Sequence, residues 1–172
     1  MPLHKLNLEQ FEEYFALINE ELYKVFDSRV PLVEEVGQYA VFSSGKRLRP
    51  LIFVLCCELC DYSGEDVYQF STIFEYIHVA SLLHDDVLDN AATRRKRPSA
   101  NQVWGNQAAV LEGDFLFAKA LSVAVRADNI PFLTKLTETA VRMTEGQILE
   151  LAHVNDWQLT KAQYMEIITA KT

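Results

Sequence analysis

At 172 residues, with 49% apolar and 23% charged side chains, the chain has the length and composition of one globular domain able to build its own core. A formal net charge of −8 and a pI of about 5.0 weigh against any general affinity for nucleic acid, so an anionic ligand would have to be held by local cations or a metal. The N-terminal residues lack the apolar core of a secretory signal and no apolar run approaches the length of a membrane span, which predicts a cytoplasmic chain with no transmembrane segment.

Nearly every stretch carries helical periodicity. Leu8, Phe11, Phe15, Ile18, Leu22, Val25 and Phe26 recur at three and four and predict a helix from Leu8 to Phe26, with Asn7 as its N-cap. A second helix starts with Pro31 in its first turn and ends near Gly45; a third covers about Pro50 to Asp61 and is closed by Tyr62-Ser63-Gly64. Within it Cys56, Cys57 and Cys60, odd in number and set in an apolar segment, read as buried structural thiols rather than a disulfide or a thiolate metal site. The long fourth helix begins near Glu65, turns Val67, Phe70, Ile73, Phe74, Ile77 and Ala80 to the core, and should be the spine of the fold. A basic loop and a short segment at Asn101 to Gly105 follow, then helices at about Gln107 to Ala127, Pro131 to Val154 and Thr160 to the end. No strand pattern, repeat or linker is evident, and the fold class is all-α.

The end of the fourth helix and the loop after it carry the chemistry. At about 100° per residue, His78, Asp85 and Asp89 fall within roughly 20° of one helical meridian. Two carboxylates at i, i+4 repel when ionised, and hard oxygen ligands of this kind suit Mg2+, which takes one or two carboxylates together with phosphate oxygens and water. Arg94, Arg95, Lys96 and Arg97 follow directly, so three carboxylates and four cations share one short stretch, a pattern for a metal and a diphosphate. The plainer alternative is a solvated acidic helix end beside a basic loop. His78 taken alone would serve equally as a structural histidine, and Gln147 as the cap of a buried network. The Gly113-Asp114 pair reads as a site of close helix packing, and Trp104 and Trp157 as packing anchors.

The chain resembles the trans-isoprenyl diphosphate synthases, and among them the octaprenyl type. The resemblance is carried by Gly45-Lys-Arg-Leu-Arg-Pro50, Leu82-Leu-His-Asp-Asp-Val-Leu-Asp89, Arg94-Arg95, the run from Gly105 to Phe117, Glu145-Gly-Gln-Ile-Leu-Glu-Leu151 and Lys171-Thr172, in the family's order over about residues 31 to 172. It implies a helical bundle of the isoprenoid synthase type, of which residues 1–172 would be a single domain comprising the N-terminal portion only. No second Asp-Asp-x-x-Asp occurs, so the domain is expected to be C-terminally incomplete.

The roles that follow come from the resemblance. Asp85 and Asp89, with Asp86 beside them, match the first aspartate-rich motif, where Mg2+ holds the diphosphate of an allylic substrate and helps it leave. Arg94 matches the contact to that allylic diphosphate, whereas Lys46, Arg49, His78 and Arg95 match the pocket for isopentenyl diphosphate. Gln147 and Lys171 match polar positions on the allylic side, and Thr172 completes the lysine-threonine motif. Ala80 and Ser81, five and four residues before the first aspartate, match the floor of the chain-growth tunnel, and their small size implies a long product. Phe70, Phe74 and Ile77 would serve as tunnel lining or as ordinary core. The implied activity is condensation of an allylic diphosphate with isopentenyl diphosphate, in a homodimer formed through the helices at about 107–127 and 131–154. Two further readings stand beside it: a noncatalytic short homologue or regulatory subunit, and a terpene cyclase, against which the Gly-Lys-Arg-Leu-Arg-Pro segment and Arg95 weigh.

Overall fold

The structure, a computed structural model, describes residues 11–42 and 45–171. The expected N-cap Asn7, the first residues of the first predicted helix and Thr172 lie outside the described residues. Seven helices are described, with a two-stranded hairpin between the fourth and fifth. They fall into two compact units, residues 1–127 and 128–172.

In the first unit α1 (Glu12–Val25), α2 (Pro31–Val41), α3 (Leu48–Leu59) and α5 (Ala100–Arg126) all pack on α4 (Val67–Leu88), which is the spine that its apolar pattern predicts. Ile18, Leu22, Val36, Val54, Ile73 and Leu116 are fully buried where these helices meet. Tyr76 is buried among them with its hydroxyl donating to Leu22 O at 2.7 Å, so burial, which raises its pKa, leaves no polar atom unsatisfied. Phe74 and Ile77, expected in the core, are only half-buried.

The α4 helix stops in a Schellman motif. Asn90 takes the left-handed conformation (φ 50°), Ala91 N–H bonds Asp86 O at 2.8 Å and Asn90 N–H bonds Val87 O at 3.2 Å. The chain then turns back through β1 (Thr93–Arg94) and β2 (Arg97–Pro98), an antiparallel pair that the sequence pattern did not reveal. The α5 helix bends at Gly105, whose φ of 84° is open to glycine and strained for other residues; this is the break expected between Asn101–Gly105 and the helix after it.

Two further expectations are corrected. Cys56 and Cys60 are exposed and Cys57 is half-buried, because the α3 face bearing them is turned from the core made by Leu51 and Val54. Trp157, expected as a packing anchor, is 93% exposed in the turn after α6 and anchors nothing among the described residues.

The second unit pairs α6 (Ile130–Ala152) with α7 (Lys161–Lys171). Asn129 caps α6 by accepting from Phe132 N–H at 3.0 Å. Thr160 and Gln163 form a reciprocal capping box for α7, at 2.9 and 3.3 Å. Gly146 lets the two helices approach, since a Cβ there would stand 2.5 Å from the Lys171 backbone nitrogen.

Candidate functional site

Asp85, Asp86 and Asp89 occupy the last turn of α4 and its C-cap, where the helix dipole is already negative. Three carboxylates there raise the local negative potential and favour any cation brought near. They do not share one environment. Asp86 is 3% exposed and accepts from Arg94 through both oxygens: Nε at 2.9 and 3.2 Å, Nη2 at 2.5 Å. That bond raises the Arg94 pKa further. Asp85 is half-buried, Asp89 is exposed, and Asp89 N–H bonds Asp85 O at 2.8 Å, so this pair keeps the shared i, i+4 face.

Among the described residues no group of three or more His, Cys, Asp or Glu is placed to hold a metal unaided. Two carboxylates one turn apart on a solvent-facing helix end are what Mg2+ takes when phosphate oxygens and water complete its octahedron, so the residues fit that ion.

A second group of cations lies further back along α4. Lys46, Arg49, His78 and Arg95 line one cleft of about 300 Å3 with Gly45, Arg47, Leu48 and Glu75. The sequence-predicted isopentenyl-side residues are thus brought together. Lys46 and Arg49 are exposed, whereas burial and then Arg49 depress the His78 pKa, which keeps the imidazole neutral at pH 7. Gly45 holds space between two guanidinium groups: an added Cβ would stand 3.1 Å from Arg47 Nη1 and 3.2 Å from Arg95 Nη1.

Arg47 and Glu75 are the pair that sequence reasoning missed. Arg47 sits in the left-handed conformation (φ 48°) as the N-cap of α3, is 7% exposed, and donates to Glu75 Oε1 at 2.6 Å and to Asn19 Oδ1 at 3.1 Å. It fixes the loop carrying Lys46 and Arg49 onto α4 and α1. The signal available was a third cation between the two others in Gly-Lys-Arg-Leu-Arg, with a lone Glu one turn before His78.

The chain-length residues lie differently from one another: Ala80 is buried at 2% exposure, and Ser81 is exposed with its hydroxyl donating to His78 O. Gly113 fits beneath the His84 ring, where an added Cβ would stand 2.3 Å from Nε2; that nitrogen lies 3.2 Å from Val110 O and 3.4 Å from Asp114 Oδ1. In the second unit Gln147 is half-buried on α6, and Lys171 is ion-paired with Glu150.

The α4 spine thus ends in half-buried Asp85 and exposed Asp89, with a cationic cleft further back along it, and the comparisons assign the family. The family model for polyprenyl synthetase matches residues 30–172, and the chain belongs to that family. It is 36% identical over 172 residues to octaprenyl diphosphate synthase of Escherichia coli K12, covering all of this chain and 53% of that protein. Among solved structures it is similar to a polyprenyl synthase from Caulobacter crescentus CB15 complexed with calcium and isoprenyl diphosphate, with TM-score 0.89, 34% identity, and 96% and 50% of the two chains covered. A decaprenyl diphosphate synthase from Rhodobacter capsulatus gives TM-score 0.88 and 32% identity, with 96% and 51% covered. The chain spans about half the length of these relatives. Among the described residues no helix is long and apolar enough to cross a membrane.

Proposed function

We propose that this chain is part of a trans-polyprenyl diphosphate synthase, a prenyltransferase that joins an allylic diphosphate to isopentenyl diphosphate to make a long polyprenyl diphosphate. The observation that carries the reading is the arrangement along α4: half-buried Asp85 and exposed Asp89 at its acidic end, the Lys46, Arg49, His78 and Arg95 cleft behind them, and Arg94 and Arg95 on one hairpin.

Asp85 and Asp89 would hold Mg2+, which when bound supplies positive charge to the departing allylic diphosphate. Asp86 acts through Arg94: the carboxylate fixes the guanidinium at the acidic end of α4, where its remaining donor capacity faces the same anion. Lys46 and Arg49 bind the second diphosphate by a point charge and a fork, with Arg95 adding a further guanidinium. Neutral His78 offers that anion an N–H without the cost of burying another cation. Ala80 and Ser81 leave the growing chain room, and Gln147, Lys171 and Thr172 serve the allylic side.

On this reading the chain belongs to a cytoplasmic enzyme that works as a homodimer. Leu111 and Val125, 67% and 61% exposed on α5, are apolar surface that a second copy would cover.

The test is Asp85→Ala and Asp89→Ala in the synthase that contains this chain, assayed with an allylic starter, isopentenyl diphosphate and Mg2+, with circular dichroism as the control for folding. Both variants are expected to lose at least about a hundredfold in rate while staying helical. Near-normal turnover in either would overturn the metal assignment.

A further inference from the structure

The hairpin bearing Arg94 and Arg95 is too short to hold itself. Its ladder is two residues long, with Thr93 opposite Pro98 and Arg94 opposite Arg97. Its two central residues, Arg95 (φ 52°) and Lys96 (φ 66°), both take the left-handed conformation, which hairpin turns of this length demand and normally meet with Gly, Asn or Asp. Something outside the turn has to offset that strain.

Three contacts converge on Tyr39 of α2. Its hydroxyl donates to Pro98 O at 2.7 Å, its ring carries the Arg97 guanidinium carbon 3.8 Å from the centroid, and Trp104 of α5 packs against it at 4.9 Å and 77°. Trp104 is itself tied to α2 by Nε1–H donating to Glu35 Oε1 at 3.2 Å. At the root of the hairpin Ser99 donates through its hydroxyl to Ala91 O at 2.5 Å and through N–H to Ala92 O at 3.1 Å. Because Arg97 is the ladder partner of Arg94, gripping Arg97 fixes where Arg94 meets Asp86, and the turn then carries the adjacent Arg95 into the cleft with Gly45 and Arg49.

We propose that Tyr39 is a positioning residue for diphosphate binding, clamping β2 through Arg97 and Pro98 so that the strained turn sends Arg94 and Arg95 to two separate anion sites. The proposal rests on the reading of the cleft given above. Tyr39 touches no substrate in this scheme; it acts through the hairpin.

The experiment uses the whole chain and two readouts, amide hydrogen exchange over residues 93–99 and calorimetric titration with inorganic pyrophosphate in Mg2+. Tyr39→Leu removes the hydroxyl and the aromatic face; it is expected to speed exchange across the hairpin and to weaken pyrophosphate binding, each by about tenfold. Tyr39→Phe, which loses only the hydroxyl, should fall between, and it carries the comparison if the leucine variant does not fold. Adding Lys96→Gly to Tyr39→Leu should recover both readouts towards wild type, because glycine takes positive φ at no steric cost. A role for Tyr39 in packing alone would not respond to a change at Lys96. Wild-type exchange and affinity in Tyr39→Leu, or a double variant as weak as the single one, would overturn the proposal. A wild-type chain that takes up no pyrophosphate would overturn the reading of the cleft instead, and the exchange measurements then decide the clamp by themselves.

Discussion

Glu112 on α5 is 2% exposed, its Oε1 has no hydrogen-bond partner among the described residues, and burial pushes its pKa up from 4.5 to about 8. Its surroundings explain this. Gly37 of α2 lies opposite, where an added Cβ would stand 2.7 Å from Oε1 and 2.0 Å from Phe26 Cζ, and Phe115 closes on Phe26 edge to face at 6.1 Å. A carboxylate there would be an unpaired charge among aromatic rings, so the group is protonated at neutral pH.

Protonation on folding has a cost that depends on pH. Below about pH 4.5 the group is neutral in both states and folding is unaffected; above it the unfolded chain ionises while the folded chain stays neutral, so stability falls as pH rises until the folded group itself titrates near 8. At 1.36 kcal/mol per tenfold change in proton activity, the loss between about pH 5 and pH 7.5 is of the order of 3 kcal/mol. Glu112→Gln keeps the shape and removes the proton. It should be close to neutral at about pH 4.5 and stabilising by roughly 2–4 kcal/mol at about pH 7.5, a rise in Tm of the order of 5–15 °C for a chain of this size. Thermal and denaturant unfolding of both proteins across that range is the assay. A shift of the same size at both ends, or a wild-type stability that rises with pH, would show that Glu112 is not buried as a neutral acid.

Further outcomes follow from the same geometry. Gly113→Ala drives a methyl into the His84 ring and should cost about 1–3 kcal/mol in denaturant unfolding, with His84→Ala in the same background restoring most of it. Glu75→Gln leaves Arg47 charged and buried without its partner, so it should cost about 3–5 kcal/mol, whereas Arg49→Ala on the exposed rim should leave the unfolding midpoint almost unchanged and weaken diphosphate binding. If the proposed function holds, Ala80→Phe or Ser81→Phe in the synthase should shorten the product, read by chromatography after dephosphorylation; an unchanged long product from both would refute the tunnel-floor assignment.

The helices were legible because their apolar residues recur at three and four, and α4 carries that pattern for 22 residues. The hairpin was not legible, since its turn residues Arg95 and Lys96 lack the Gly or Asn that mark such turns and the run reads as plain basic charge. Exposure was the weaker inference: Cys56 and Cys60 sit in a strongly apolar segment yet face outwards, because hydropathy gives the burial of a face only when its neighbours are known. At the candidate site, the residue pattern drew attention to the three aspartates and the Arg94–Arg97 run, the family resemblance added Lys46 and Arg49, and neither singled out Arg47. Asp86 and Arg47 look in sequence like their neighbours Asp85 and Lys46, and only packing shows that each is buried and committed to a partner of opposite charge.

That sorting carries the physical logic of the site. On the proposed function, a site that binds two highly charged anions needs several cations close together, and these repel one another before the ligand arrives. Here the repulsion is limited by giving Arg47 and Arg94 acidic partners of their own: Arg47 holds the Lys46–Arg49 loop to Glu75 of α4, and Arg94 holds the hairpin to Asp86 a few turns further along the same helix. Both anchors stand on α4, as do His78, Asp85 and Asp89. On the proposed function, one helix therefore sets the spacing between the acidic end at Asp85 and Asp89 and the cationic cleft, the distance that a reaction between two bound diphosphates would have to control.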